Sequence, residues 1–314
     1  MKALCGWLLV APLLIGPALT AAGSGQTAVD QRPPTFRSSA DVVTIQASVR
    51  DNRGRTMKGL KPSDFEVRDN GQVRPILSLR SDLRSPVSLA ILVDMSGSMR
   101  LGSKIGSKIA MARHAFDSVL SELHEGQDEV AVFTFDSALH QRQPFTSNLS
   151  EVSGALDDFQ PFGTTSLYDA TAATAQRLAE RSATHKAIVV LTDGTDTSSS
   201  LTATDVSGLA SSISVPVYIV ATFPAGEQRP RVAEGSSRSE SDDLRDLAEW
   251  TGGRLVWATD FTETSAVASS FVTELRQQYV LAVEAAASRE WRRLNVRVKH
   301  PSAVVKARSG YFGG

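Results

Sequence analysis

The stretch Val87-Ser88-Leu89-Ala90-Ile91-Leu92-Val93-Asp94-Met95-Ser96-Gly97-Ser98-Met99 decides the fold of this chain. Residues 87–93 form a nearly continuous apolar run, the pattern of a strand covered on both faces by helices. The run ends on a carboxylate, and Ser96 and Ser98 follow it. Beyond them, Ile105, Ile109, Ala112, Phe116, Val119 and Leu123 recur at helical spacing and predict an amphipathic helix over 104–124.

The alternation continues downstream. Strands are expected at Glu129–Phe135, Lys186–Leu191, 215–222 and 254–258, and helices at 166–181, near 202–213, at 242–250 and at 264–278. Strand and helix in this order predict an α/β fold: a doubly wound, mostly parallel, Rossmann-like sheet over residues 86–278. Such sheets bind ligands beyond the carboxyl ends of their strands. Trp250 and Trp257 are expected to pack around the final central strand. Residues 223–241 are polar and unpatterned and predict a surface loop.

The flanks have a different texture. Val42, Val43, Ile45, Ala47 and Val49 predict a strand closed by the turn residues Asp51-Asn52-Arg53-Gly54. A second strand fits Phe65–Arg68, ending at Asp69-Asn70-Gly71, where Asn-Gly suits a tight hairpin because both residues tolerate positive φ. A third is expected from Val73 to Leu79. After residue 278 short strands return at 279–283, 294–298 and 304–307. Neither flank has enough strands to bury a face alone. Residues 41–85 and 279–314 are therefore expected to combine into a small β-sandwich.

At the N-terminus, Lys2 precedes an apolar run from Leu8 to Leu19, and Thr20-Ala21-Ala22-Gly23 supplies small residues for cleavage. This order predicts a signal peptide over 1–22, followed by a polar linker over 23–40. The run is short and broken by Pro12 and Pro17, so no stable transmembrane anchor is expected after cleavage. Export to the periplasm or the extracellular space follows. The single cysteine, Cys5, lies in the removed segment, so the mature chain has no thiol for disulfides, metal binding or nucleophilic catalysis. With 33 basic and 34 acidic residues and a net charge of -1, the 314-residue chain has no field that points to nucleic acid.

The chemistry gathers at strand ends. Asp94, Ser96 and Ser98 place three oxygen-bearing side chains within one turn. One carboxylate with two hydroxyls is a poor acid–base pair but a reasonable half-shell for a hard divalent cation. Phe162-Gly163-Thr164-Thr165-Ser166-Leu167 opens a helix with a threonine hydroxyl, and Val190-Leu191-Thr192-Asp193-Gly194 ends a buried strand with a carboxylate. The topology would bring all three segments to one face. Asp196, Thr197, Ser198, Ser199 and Ser200 are expected as solvated loop and N-cap material, and Asp136 as structural.

Enzyme chemistry finds no footing in these residues, and no catalytic residue is assigned. There is no G-x-S-x-G elbow around Ser96 or Ser98, and no G-x-x-x-x-G-K-[ST] loop for phosphate. The five histidines (114, 124, 140, 185 and 300) are scattered, without an H-E-x-x-H spacing.

Asp94-Met95-Ser96-Gly97-Ser98, the threonine of Gly163-Thr164-Thr165-Ser166-Leu167-Tyr168-Asp169-Ala170, and Thr192-Asp193-Gly194 resemble the metal-ion-dependent adhesion site (MIDAS) of the von Willebrand factor A domain. The resemblance implies a Mg2+ or Mn2+ site, with Ca2+ a further choice. Ser96, Ser98 and Thr165 would be direct ligands, and Asp94 and Asp193 would bind directly or through water. Thr164 is the alternative threonine, but the register with Leu167 favours Thr165. Phe36-Arg37, Gly59-Leu60, Asp64-Phe65, Asp69-Asn70-Gly71, Thr251-Gly252-Gly253-Arg254, Gln278-Tyr279 and the ending Ala307-Arg308-Ser309-Gly310-Tyr311-Phe312 further resemble a subgroup of exported A-domain proteins common in Acidobacteria. The function implied is recognition, in which an open metal position takes an acidic residue from a partner protein. The alternative is a structural component of an envelope assembly, in which the metal only stabilises the loop.

Overall fold

The computed structural model describes residues 42–81, 85–101, 107–157, 160–224, 240–286 and 290–312. The expected signal peptide, the linker, Cys5 and most of the 223–241 loop lie outside the described residues.

In chain order the first elements are β1 (Val42–Arg50), β2 (Phe65–Asp69), β3 (Gln72–Arg74), β4 (Ile76–Arg80), β5 (Val87–Asp94), α1 (Lys108–Ser121), β6 (Glu129–Phe135) and β7 (Leu139–Thr146). Next come α2 (Leu167–Ala179), β8 (His185–Thr192), α3 (Ala203–Ser212), β9 (Val217–Thr222), α4 (Glu240–Thr251), β10 (Arg254–Ala258) and α5 (Phe261–Arg276). The last strands are β11 (Tyr279–Glu284), β12 (Trp291–Val298), β13 (Val304–Ala307) and β14 (Gly310–Phe312).

The central sheet has six strands in the order β10-β9-β8-β5-β6-β7. All pairings are parallel except β6 with β7. Every residue of β5 is buried, as a run without polar alternation requires. Its period of two divides the core. Leu89, Ile91 and Val93 face a cluster with Ala112, Phe116 and Val119 of α1 and Phe271, Val272 and Leu275 of α5. Ala90 and Leu92 face the opposite cluster, with Leu167, Ala175 and Leu178 of α2, Val206 of α3, and Leu244 and Leu247 of α4. At roughly 1.5–3 kcal/mol for each large apolar side chain taken from water, these two layers dominate the stability of the sheet.

The flanking strands interleave. One four-stranded sheet runs β13-β1-β11-β4 and the other β14-β12-β2-β3. Each therefore combines strands from both ends of the described chain, and their inner faces share a core of Ile45, Val49, Phe65, Val67, Tyr279, Leu281 and Leu294. Polar contacts tie this pair of sheets to the α/β part. Arg50 Nη2 pairs with Glu274 Oε2 of α5 at 3.0 Å, and Arg308 donates to the carbonyls of Ser211 and Thr44.

Three sequence expectations are corrected. The strand expected from Val73 to Leu79 is two strands in different sheets, because Pro75 between them lacks an N–H to continue the ladder. The edge strand β7 was not anticipated: His-Gln-Arg-Gln-Pro gives no hydrophobic alternation, and only an edge position tolerates Pro144. The last helix begins at Phe261 rather than 264, since the Asp260 carboxylate accepts from Glu263 N at 2.8 Å and caps it.

Candidate metal-binding site

From β5 the chain passes to β6 on one side and later to β8 on the other, which puts the reversal of strand order beside the carboxyl end of β5. Open α/β sheets have their ligand crevice at this point. Asp94 closes β5, and Thr192 closes β8 with Asp193 directly after it. The two strand ends meet through side chains: the Thr192 hydroxyl donates to Asp94 Oδ2 at 2.6 Å.

The turn after β5 folds back on itself. Ser96 N donates to Asp94 Oδ1 at 2.8 Å, and the Ser96 and Ser98 hydroxyl oxygens lie 3.1 Å apart. The loop before α2 is laid across this turn by backbone bonds. Phe162 N donates to Met95 O at 2.7 Å and Gly97 N donates to Gly163 O at 3.0 Å. Of the two residues at that crossing, Gly163 is the one that needs to be glycine, because its φ is +87°.

The third segment closes the ring. Thr197 N and Ser198 N donate to Thr165 O at 2.9 and 3.0 Å, and Thr197 Oγ1 accepts from Thr165 N at 2.9 Å. All three sequence-predicted segments thus meet at one edge of the sheet. Asp94, Ser96, Thr165 and Asp193 are 0, 1, 3 and 2 % exposed and Ser98 is half-buried, whereas Thr164 is exposed.

Residues 89–195 match the family model of the von Willebrand factor type A domain. This stretch, from β5 to just past β8, is similar to an A domain. Two solved structures share the fold. One is a conserved hypothetical protein, BatB, from Bacteroides thetaiotaomicron, with a TM-score of 0.50 and 18% identity over 60% of this chain and 98% of that one. The other is proximal thread matrix protein 1 from the mussel byssus with a zinc-occupied MIDAS motif, with a TM-score of 0.51 and 16% identity over 65% of this chain and 50% of that one. No curated protein matches the chain.

The site is electrostatically uncomfortable by itself. Burial, above all, pushes the Asp94 carboxyl up to about 7; the Ser96 and Thr192 hydroxyls work against that rise, and the charge of Asp193 adds to it. A divalent cation relieves such a pair of buried carboxylates. The donor set fits a hard ion, with hydroxyl and carboxylate oxygens only. Two neighbouring ligands on an octahedral ion with bonds of about 2.1 Å stand roughly 3 Å apart, close to the Ser96–Ser98 separation. Among the described residues no group of three or more His, Cys, Asp or Glu side chains is arranged to hold a metal.

The serine-rich stretch after Asp193, expected as solvated loop and N-cap material, caps a helix from across the site. Ser199 Oγ accepts from Tyr168 N at 3.0 Å and from Asp169 N at 3.2 Å, so it caps α2 from across the site. Asp169 returns the contact by accepting from Ser200 N and Leu201 N, both at 2.9 Å. Asp136 accepts from Ala138 N at 2.9 Å and shapes the β6–β7 turn. Trp257 lies edge-on to Phe223 with ring centroids 6.3 Å apart.

Sequence reasoning missed two residues. Thr192 stood beside an expected ligand, but its hydroxyl contact with Asp94 spans 98 positions and leaves no local trace. Lys108 was absorbed into the expected helix 104–124, yet it is the first residue of α1 and its ammonium donates to Asp193 Oδ2 at 3.0 Å. With the helix expected from 104, Lys108 fell in its second turn, and only the structure shows it to open α1.

Proposed function

We propose that this protein is a metal-dependent protein-binding module. Asp94, Ser96, Ser98, Thr165 and Asp193 would hold a divalent cation, Mg2+ or alternatively Mn2+ or Ca2+, and an Asp or Glu of a partner would complete its shell. The observation that carries this proposal is the 3.1 Å approach of the Ser96 and Ser98 hydroxyls beside a fully buried Asp94. A domains commonly mediate protein–protein contacts.

The bound ion supplies a concentrated positive charge that attracts an anion. The chain's own residues fix where that charge sits. Ser96 N and the Thr192 hydroxyl hold the two Asp94 oxygens in place, and the Gly97–Gly163 crossing keeps the Thr165 segment against the serine turn. With hydroxyls rather than further carboxylates around it, the ion keeps enough charge to bind an outside carboxylate.

The rim suits a protein partner. Phe162 and Leu101 are 74 and 57 % exposed, and the Arg100 guanidinium lies 6.0 Å from the Phe162 ring centroid. Exposed aromatic and apolar side chains beside a charged anchor are what protein interfaces use for contact area. Export to the periplasm or beyond belongs to the same proposal and rests on the N-terminal sequence. The likeness to exported A-domain proteins common in Acidobacteria supports it. Among the described residues no helix is long and apolar enough to cross a membrane.

The test is affinity capture from the native envelope fraction with Mg2+, with chelator, and with Ser96→Ala. Association present only in the first arm is expected. Undiminished capture in chelator or by Ser96→Ala refutes the metal-dependent mechanism. Loss of thermal stability in chelator with association unchanged would instead favour the structural role.

A further inference from the structure

Lys108 is the residue of the site that the metal does not explain. The Lys108 and Asp193 side chains are only 9 and 2 % exposed and lie 3.0 Å apart. Lysine is almost never buried unless paired. Lys108 also opens α1, whose first turn carries the positive end of the helix dipole. Helix and burial both oppose a cation there, and the carboxylate at the end of β8 offsets both.

The second Asp193 oxygen accepts from Thr195 N at 3.2 Å. The ammonium therefore sits on the Asp193 oxygen that the Thr195 backbone leaves open. It stands beside the carboxylate pair that a divalent ion would neutralise. Two cations sharing one buried carboxylate repel strongly, because little water lies between them to screen the charge.

We infer that Lys108 is a tethered counter-ion, which holds Asp193 while the site lacks metal and must withdraw when a divalent cation binds. This rests on the metal-binding function proposed above and adds the control of loading. Filling the site becomes an exchange of cations, in which the flexible four-carbon stem of lysine lets the ammonium leave towards solvent. The exchange lowers metal affinity and keeps the metal-free domain folded around two buried carboxylates.

The test compares wild-type protein with Lys108→Met, which keeps the stem and removes the charge. Mn2+ and Mg2+ are titrated by calorimetry. The variant is expected to bind Mn2+ at least about tenfold more tightly, to melt at a lower temperature in chelator, and to gain more from saturating metal. Equal or weaker affinity in the variant overturns the inference and leaves the metal site standing. If neither protein binds metal, the metal-binding function fails and the inference falls with it.

A second readout needs no variant. Reductive methylation of the wild-type protein, mapped by mass spectrometry, should modify Lys108 several-fold more with Mn2+ bound than in chelator. Equal protection in both states overturns the exchange.

Discussion

Replacing Asp94 by asparagine should make the metal-free protein more stable while abolishing its response to metal. Asp94 is fully buried, and burial above all raises its carboxyl from an ordinary 3.8 to about 7. A group held above its unfolded value contributes stability that is complete below the unfolded pKa and is lost as pH rises through the folded one. The window here runs from about pH 4 to just above pH 7. At about 1.36 kcal/mol for each pKa unit, an ionised Asp94 costs the metal-free protein about 4 kcal/mol by pH 8.

Asparagine removes that cost and keeps an oxygen to accept from Ser96 N, but it loses the acceptor for the Thr192 hydroxyl. That loss is worth about 1 kcal/mol. The expected net gain is therefore about 3 kcal/mol at pH 8 in chelator, or roughly 6–12 °C in Tm for a domain of this size. At pH 5 the wild-type carboxyl is already protonated in the folded state, and the gain should fall below about 1 kcal/mol. Differential scanning calorimetry at the two pH values, with chelator and with Mg2+, measures all of this. A less stable Asp94→Asn protein at pH 8 in chelator, or a gain that does not shrink at pH 5, would refute the account of the site as a buried carboxylate pair in need of a cation.

Three further substitutions test the scaffold. Gly253 N donates to Ala248 O at 2.8 Å, and a Cβ there would overlap the Val217 backbone. Gly253→Ala should cost at least about 3 kcal/mol in a denaturant titration, whereas Gly208→Ala, with nothing within 4 Å of the added carbon in α3, should gain about 0.5–1 kcal/mol. Asp128 accepts from Val87 N, His124 N and the Arg276 guanidinium. Although burial works to raise it, those partners hold its carboxyl below the usual range. Its contribution is present above the unfolded pKa near 3.8 and is lost as pH falls through the lower folded value. Asp128→Ala should cost about 3–5 kcal/mol at pH 7 because Arg276 is left unpaired, and acid unfolding should begin at higher pH in the variant than in the wild type.

By itself the sequence determined the alternation of strand and helix, the burial of β5 on both faces, and three oxygen-rich segments at element ends. These are legible because a strand's burial is written in its own period and a turn's chemistry in adjacent residues. The tertiary structure alone decided what joins across distance. It split the strand at Pro75 between two sheets, placed β7 at an edge, set the Thr192 hydroxyl against Asp94, capped α2 with Ser199, and buried Lys108 against Asp193. The last three contacts join residues 98, 31 and 85 positions apart, and no local pattern encodes which distant group a polar side chain will meet once the sheet has brought the strand ends together.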